Sequence, residues 1–163
     1  MSVLRLEALE VIQRFRKPGG DDFTLFCNRI IRASCWAAGV PQSEVWTCSR
    51  TDAKDGGVDT RLLVSIPNNG SGYFNTATIW QFKAAEESSV GPGDMAREVN
   101  KARARQWIAE GSGYRICICD HLSADKKQTL LDALLPAVAA IIAAQDGHGV
   151  PCPYGDKGER QRA

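Results

Sequence analysis

Two runs of sequence decide the fold, namely DGGVDTRLLVSI at residues 55–66 and TIWQFK at residues 78–83. Gly56 and Gly57 have no Cβ and accept positive φ angles, which lets the chain turn sharply just before Asp59. The apolar run from Leu62 to Ile66 predicts a strand after that turn. Residues 67–72 are rich in Pro, Asn and Gly and predict a loop, so that the second run forms the other strand of a hairpin.

Successive side chains of a strand point to opposite faces of the sheet. Gln81 and Lys83 therefore share one face of the second strand, and Trp80 and Phe82 share the other. A hairpin that brings Asp59 beside Gln81 and Lys83 gathers a carboxylate oxygen, an amide oxygen and an ammonium group in one cluster. Such a cluster is suited to binding a divalent metal ion and activating water.

The order Asp-Gly-Gly-Val-Asp followed by Gln-Phe-Lys resembles the PD-(D/E)XK nuclease superfamily, in particular its Mrr-like restriction-endonuclease branch. The resemblance covers about residues 22–122 and implies a restriction-endonuclease-like α/β core. It implies that Asp59 and Gln81 hold Mg²⁺, for which Mn²⁺ can substitute, and that Lys83 serves the attacking water. The implied reaction is hydrolysis of phosphodiester bonds in double-stranded DNA.

Two positions depart from the family pattern. Gln81 stands where the more common form has Glu, which lowers the negative charge of the site and weakens metal binding. The family also tends to carry an acidic residue in a Phe-Glu-like pair on the preceding helix, whereas this chain has Phe23-Thr24 with Asp22 just ahead. Asp22 is therefore either a third metal ligand or only the cap of its helix.

Each of these side chains also has an ordinary structural interpretation. Asp59 can be a turn residue that accepts backbone N–H bonds, as Asp often does beside glycine. Lys83 can be a solvated strand lysine, although its apolar neighbours indicate partial burial. Asp55 either supports the metal site from outside its ligand shell or belongs to the turn.

A third feature is a basic stretch in a predicted helix from Met95 to Ala109. Arg97, Lys101 and Arg105 recur at intervals of four and would share one helix face, with Arg103 nearby. We expect this face, extended by Arg50 and Lys54, to contact DNA phosphates. A solvated helix face is the alternative.

The other predicted elements complete an α/β protein with a small mixed sheet flanked by helices. They are helices at 3–15 and 22–37, a strand at 45–49, a strand from Tyr114 to Cys119, and a last helix capped by Ser123 or Asp125 and kinked or split by Pro136. The apolar tract from Leu130 to Ala144 is shorter than the roughly 20 residues of a membrane span and predicts a core helix.

Composition indicates a single domain. The chain has 163 residues, 44% of them hydrophobic, and a net charge of +1, so a DNA surface must arise from local clustering. Its six cysteines lack the spacing of a disulfide framework or a zinc site, and no signal peptide is visible, which favours a cytoplasmic protein without membrane contact. We expect a domain at 1–146 and a flexible tail or linker at 147–163.

These features predict a magnesium-dependent DNA endonuclease domain. The resemblance extends to the effector nucleases of larger antiviral defence or restriction proteins, which implies a homo-oligomer or an assembly through a further domain. Two alternatives remain open. The chain can be a catalytically decayed nuclease fold that binds DNA or mediates assembly, or a hydrolase of small molecules that uses the same metal site.

Overall fold

The computed structural model describes residues 15, 21–48, 56–66, 74–84, 90–119 and 122–146. The predicted first helix, apart from residue 15, and the predicted tail lie outside these residues. In chain order the described elements are α1 (Asp21–Ala37), a 3-10 turn (Gln42–Glu44), β1 (Val45–Thr47), β2 (Thr60–Leu62), β3 (Thr78–Lys83), α2 (Pro92–Val99), α3 (Ala102–Ala109), β4 (Gly113–Ile118) and α4 (Ala124–Asp146).

The four strands form one mixed sheet in the order β1-β2-β3-β4. β1 pairs with β2, and β2 with β3, in antiparallel registers that place Thr60 opposite Trp80. β3 and β4 are parallel, with Gln81 opposite Ile116. Parallel neighbours need a crossover, which α2 and α3 supply. The α/β class and the small mixed sheet flanked by helices are confirmed.

Helices cover both faces of the sheet. On one face α1 packs over a core that includes Phe23, Ile31, Trp80 and Phe82, and the ring centroids of Phe23 and Phe82 lie 6.2 Å apart. On the other face α2, α3 and α4 pack over cores built around Ile79, Val99, Ile108, Ile141, Met95 and Leu130. The predicted alternation along β3 is therefore confirmed for its apolar residues.

The strand predicted over the apolar run from Leu62 to Ile66 is wrong in its position, because β2 spans Thr60–Leu62. The N–H of Leu63 donates to the carbonyl of Glu44, just before β1, and the N–H of Ile66 donates to the carbonyl of Phe74. Leu62 and Ile66 are nevertheless buried in the core beneath α1. The apolar residues of this run therefore indicate which side chains are buried, but they do not indicate where the strand ends.

The predicted single helix from Met95 to Ala109 is wrong, because the chain breaks between α2 and α3. Lys101 has φ −63° and ψ 144°, an extended conformation that no helix continues through. The break packs against the glycine turn, where the N–H of Ala104 donates to the carbonyl of Gly56 at 3.1 Å. The intervals of four between Arg97, Lys101 and Arg105 therefore do not define one helix face.

The last helix begins as predicted, since the Ser123 hydroxyl accepts the N–H of Lys126 at 3.2 Å, and Pro136 lies within one continuous helix. It is not a core helix as predicted, because Leu131, Leu135 and Ile142 are exposed while Leu130 and Ile141 are buried. Among the described helices it alone is long and apolar enough to cross a membrane by length and composition, over 22 residues with a mean hydropathy of 1.5.

Candidate functional site

The glycine turn places Asp59 at the start of β2, as predicted. Gly56 and Gly57 have φ angles of 70° and 88°, in the left-handed region that favours glycine. Asp59 is 5% exposed, and its N–H donates to the carbonyl of Trp80 at 2.8 Å. The main chain of Asp59 therefore continues the pairing of β2 with β3 by one residue.

The carboxylate of Asp59 extends that pairing through its side chain. Oδ2 accepts the N–H of Phe82 at 2.6 Å and the side-chain Nε2 of Gln81 at 2.8 Å. The Asp59 side chain therefore lies beside Gln81, as predicted, and it also accepts a backbone N–H, which was the alternative role.

Gln81 contributes a buried oxygen to this site. The side chain is 5% exposed, and its Nε2 is used by Asp59. Its Oε1 is buried and has no hydrogen-bond partner among the described residues. Because a buried carbonyl oxygen without a donor is costly, this atom is a natural place for a water molecule or a cation.

Lys83 is partly buried, as its apolar neighbours predict, with 27% of its side chain exposed. Its Nζ lies 2.6 Å from Oε1 of Glu98 on α2, and Nζ of Lys101 lies 2.6 Å from Oε2 of the same carboxylate. Glu98 is only 4% exposed. A single buried carboxylate thus holds two ammonium groups, one from β3 and one from the break between α2 and α3.

Glu98 is the site residue that sequence reasoning missed. Burial alone would raise its pKa, but hydrogen bonds from Lys101 and Lys83, together with their charges, outweigh burial and hold the pKa below its ordinary value. A signal was present in the sequence. Met95, Glu98 and Val99 follow helical spacing, so a carboxylate on the buried face of α2 was predictable from its neighbours.

The glycine turn packs directly on this lysine–glutamate network. A Cβ on Gly57 would lie 2.9 Å from the carbonyl oxygen of Glu98 and 2.8 Å from Cδ of Lys101. A Cβ on Gly56 would lie 2.7 Å from Cβ of Arg103. Both approaches are closer than real Cβ contacts, so the two glycines permit the backbone before Asp59 to touch the α2–α3 break.

The predicted DNA-binding residues have different partners. Arg97 forms an ion pair with Asp94, Lys101 pairs with Glu98, and Nη1 of Arg105 donates to Oδ1 of Asn100 at 3.2 Å. Arg103 is exposed and has no carboxylate partner among the described residues. Arg50 and Lys54 lie outside the residues that the structure describes, as does Asp55.

Asp22 is exposed in the first turn of α1 and has no hydrogen bond or ion pair within the described part of the chain. The next residue, Phe23, contacts Phe82, so this turn lies beside the end of β3. Thr24, the departure from the family pair, is 8% exposed. One turn later, Asn28 accepts a hydrogen bond from the hydroxyl of Thr60, a buried polar contact that the sequence interpretation did not include.

The residues present fit a hard divalent cation in part. Asp59 and Gln81 provide carboxylate and amide oxygens of the kind that Mg²⁺ binds while keeping several waters. Gln81 donates its NH₂ group to Asp59. A cation bound by both side chains would therefore require the Gln81 amide to rotate, so that Oε1 instead of Nε2 faces Asp59. No three His, Cys, Asp or Glu side chains group into a metal site in the described ranges. The candidate is therefore a site of two protein oxygens completed by water.

Four cysteines of the described residues lie on the α1 side of the sheet, among them Cys35 of α1, which is fully buried in its core. Cys27 of α1 and Cys117 of β4 pack against its core, and Cys119 is 4% exposed within it. Burial, aided by the nearby Cys117, Cys119 and Asp59, raises the pKa of the Cys27 thiol to about 12. Burial also raises the pKa of Cys117. The five cysteines of the described residues form no disulfide.

No protein-family model, no curated protein and no solved structure matches this chain.

Proposed function

We propose that the chain is a metal-dependent DNA endonuclease domain with a restriction-endonuclease-like core. The observation that carries the proposal is the contact of Asp59, at the start of β2, with Gln81 of β3, the strand that carries Lys83 two residues later. We propose further that it is the cytoplasmic effector part of a larger antiviral defence or restriction protein, acting as a homo-oligomer or through a further domain.

In this proposal Asp59 and Gln81 hold a magnesium ion, which when bound lowers the pKa of a water ligand and offsets charge on the phosphate. Lys83 orients the attacking water and stabilises negative charge as it develops. Glu98 holds the Lys83 side chain in place, because its carboxylate accepts a hydrogen bond from Nζ at 2.6 Å. Lys101 is the half-exposed partner and can turn from Glu98 to a phosphate oxygen.

Cleavage of supercoiled plasmid with Mg²⁺, with Mn²⁺ and with a chelator tests the proposal. Asp59→Asn removes the charge but keeps an acceptor for the Phe82 N–H, so loss of cleavage in this variant reports chemistry more than folding. Lys83→Ala should also abolish cleavage. Asp125→Asn and Lys127→Ala, at exposed positions of α4, are matched controls that should leave cleavage unchanged. Cleavage that persists in Asp59→Asn would contradict the proposal.

A second candidate is a nuclease fold that has lost catalysis and binds DNA or mediates assembly. It is favoured by the saturation of Asp59 Oδ2 with two donors and by the exposure of Asp22, the proposed third ligand. This candidate predicts no cleavage with any metal, even when the domain is fused to an oligomerising partner. It also predicts DNA binding that survives Lys83→Ala.

A further inference from the structure

Two tryptophans and two arginines form a cluster beside the glycine turn, here called the tryptophan–arginine cluster. Trp46 of β1 and Arg61 of β2 are cross-strand partners, and α3 lays Trp107 over them. The rings of Trp46 and Trp107 meet edge to face with centroids 5.9 Å apart. Arg103, one turn before Trp107 on α3, completes the cluster.

The guanidinium groups lie over the indole rings. Cζ of Arg61 is 4.2 Å from the centroid of Trp107, and Cζ of Arg103 is 5.4 Å from Trp46 and 5.5 Å from Trp107. These are cation–π distances, and such contacts hold an arginine in one orientation. Arg61 is also tied to Glu110 at 3.3 Å, whereas Arg103 is exposed and has no carboxylate partner among the described residues.

The charges of the cluster favour an anionic ligand. The guanidinium groups of Arg61 and Arg103 already lie over the indole rings and would repel a cation, whereas the guanidinium of Arg103 would attract an anion. A planar ring can stack on the guanidinium or on the accessible parts of the indoles, because both tryptophans are only partly buried. A nucleic acid is an anion that carries planar rings, and aromatic side chains with arginine are the usual platform for its unpaired bases.

We propose that the tryptophan–arginine cluster binds an unpaired nucleotide of the DNA strand, with the base stacked on the cluster and its phosphate on Arg103. Bases inside a duplex hide their faces in the stack, so the cluster favours single-stranded DNA or a frayed position. This inference rests on the proposed nuclease function for its substrate and adds the strand state that the protein selects.

The cluster is adjacent to the candidate catalytic residues. Gly56 packs against Arg103, and the N–H of Ala104 bonds the Gly56 carbonyl. Asp59 follows three residues after Gly56, and its carbonyl accepts the N–H of Cys48, two residues after Trp46. A nucleotide on the cluster is therefore a close neighbour of any phosphodiester positioned at Asp59.

Binding is measured by fluorescence anisotropy in chelator, so that cleavage does not enter, with an oligothymidylate of about 12 nucleotides and with a duplex of the same length. We expect the wild-type chain to prefer the single strand. Trp107→Ala and Arg103→Ala should each weaken single-strand binding about tenfold, the order expected for loss of one base stack.

Matched variants separate the cluster from general effects. Trp36 is 73% exposed on α1, so Trp36→Ala should leave affinity unchanged, and Arg97→Ala should have a smaller effect than Arg103→Ala. Trp107 also packs against the core, so Trp107→Ala can fail to fold. In that case Arg103→Ala, at an exposed position, is the variant that tests the inference. Arg103→Lys keeps the positive charge but lacks the planar guanidinium, so its affinity for the single strand should lie between those of Arg103→Ala and the wild type.

The inference is overturned if the wild-type chain does not bind the single strand, if duplex binds as tightly, or if Arg103→Ala and Trp36→Ala behave alike. Its failure is distinguishable from failure of the proposed function. A chain that cuts plasmid but binds single strands independently of Arg103 retains the nuclease proposal alone. A chain that binds single strands through the cluster but cuts nothing retains this inference alone.

Discussion

Nζ of Lys83 lies 2.6 Å from Oε1 of Glu98, and this contact joins the central strand β3 to helix α2 across a largely buried interface. A carboxylate that is removed from water and shared by two lysines contributes to stability as long as it is ionised. Glu98→Gln keeps the size of the side chain but leaves Lys83 and Lys101 close together without their counter-charge.

We expect Glu98→Gln to lower the free energy of unfolding at pH 7 by about 1–2 kcal/mol, a value reduced for the partial exposure of both lysines. Chemical denaturation measures this difference. Glu110→Gln is the control, because Glu110 is 44% exposed and pairs with Arg61 at the surface. An equal loss in both variants would show that burial of Glu98 adds nothing.

The same pair predicts the direction of a pH dependence. The pKa of Glu98 is held below its ordinary value of 4.5 in the folded protein, so the fold favours the ionised form. Its contribution to stability is present above the unfolded pKa and is lost as pH falls through the folded pKa. The stability difference between wild type and Glu98→Gln should therefore shrink below about pH 4.5. A difference that stays constant down to pH 2 would contradict this assignment.

Gly57→Ala should destabilise the protein more than Gly39→Ala. Both glycines have positive φ, 88° and 75°, but a Cβ on Gly39 meets nothing within 4 Å while one on Gly57 meets the Glu98 carbonyl at 2.9 Å. We expect a loss of about 1–2 kcal/mol for Gly39→Ala from backbone conformation alone. Gly57→Ala should lose about 1–3 kcal/mol more from the forced contact. Equal losses, measured by denaturation, would mean that the turn moves freely away from α2.

Gln81→Glu should make stability depend on divalent metal. Without metal, two carboxylates meet where Nε2 now donates to Asp59 at 2.8 Å, which raises the pKa of one of them and destabilises the fold near neutral pH. With Mg²⁺ or Mn²⁺ the pair becomes a stronger oxygen site. We expect a larger rise in melting temperature on metal addition than in wild type. Asp132→Glu on α4 controls for general effects, and no metal-dependent rise would argue against a cation beside Asp59.

The thiol of Cys27 should react slowly. Its pKa of about 12 leaves almost no thiolate at pH 8, and the thiolate is the nucleophile. Mass-spectrometric mapping of iodoacetamide labelling should find Cys27 modified at least about tenfold more slowly in the folded chain than in urea. Labelling at the same rate in both states would show that the α1 side of the sheet opens readily.

Residues whose role depends on local pattern were predictable. The alternation in β3, the positive φ at Gly56 and Gly57, and the contact of Asp59 with Gln81 follow from strand geometry and the absence of a Cβ. Glu98 was not predicted, since the charge pattern placed the basic residues of α2 and α3 on one helix face that was expected to contact DNA phosphates. Position 101 breaks that face, and no helix propensity shows the break, because it arises from packing of a turn distant in sequence.

The tryptophan–arginine cluster illustrates the same limit. Trp46 and Arg61 belong to strands whose register is set by the hairpin, and Trp107 reaches them only through the crossover that β3 and β4 require. None of the three is close to another in sequence. A sequence motif consists of residues close together in one chain segment. The tryptophan–arginine cluster instead depends on which strands pair and on where α3 packs, so no motif predicts it.

The parallel pairing of β3 with β4 also determines when this site can exist during folding. The stretch from Gly56 to Trp107 carries Asp59, Gln81, Lys83, Glu98 and Arg103, while Trp46 comes from the edge strand β1. The hairpin of β2 and β3 can form from nearby residues, but the lysine–glutamate network waits until α2 folds back over the sheet. A growing chain that ends before α2 thus holds Lys83 without its carboxylate, and forms the lysine–glutamate network only after α2 has folded onto the sheet.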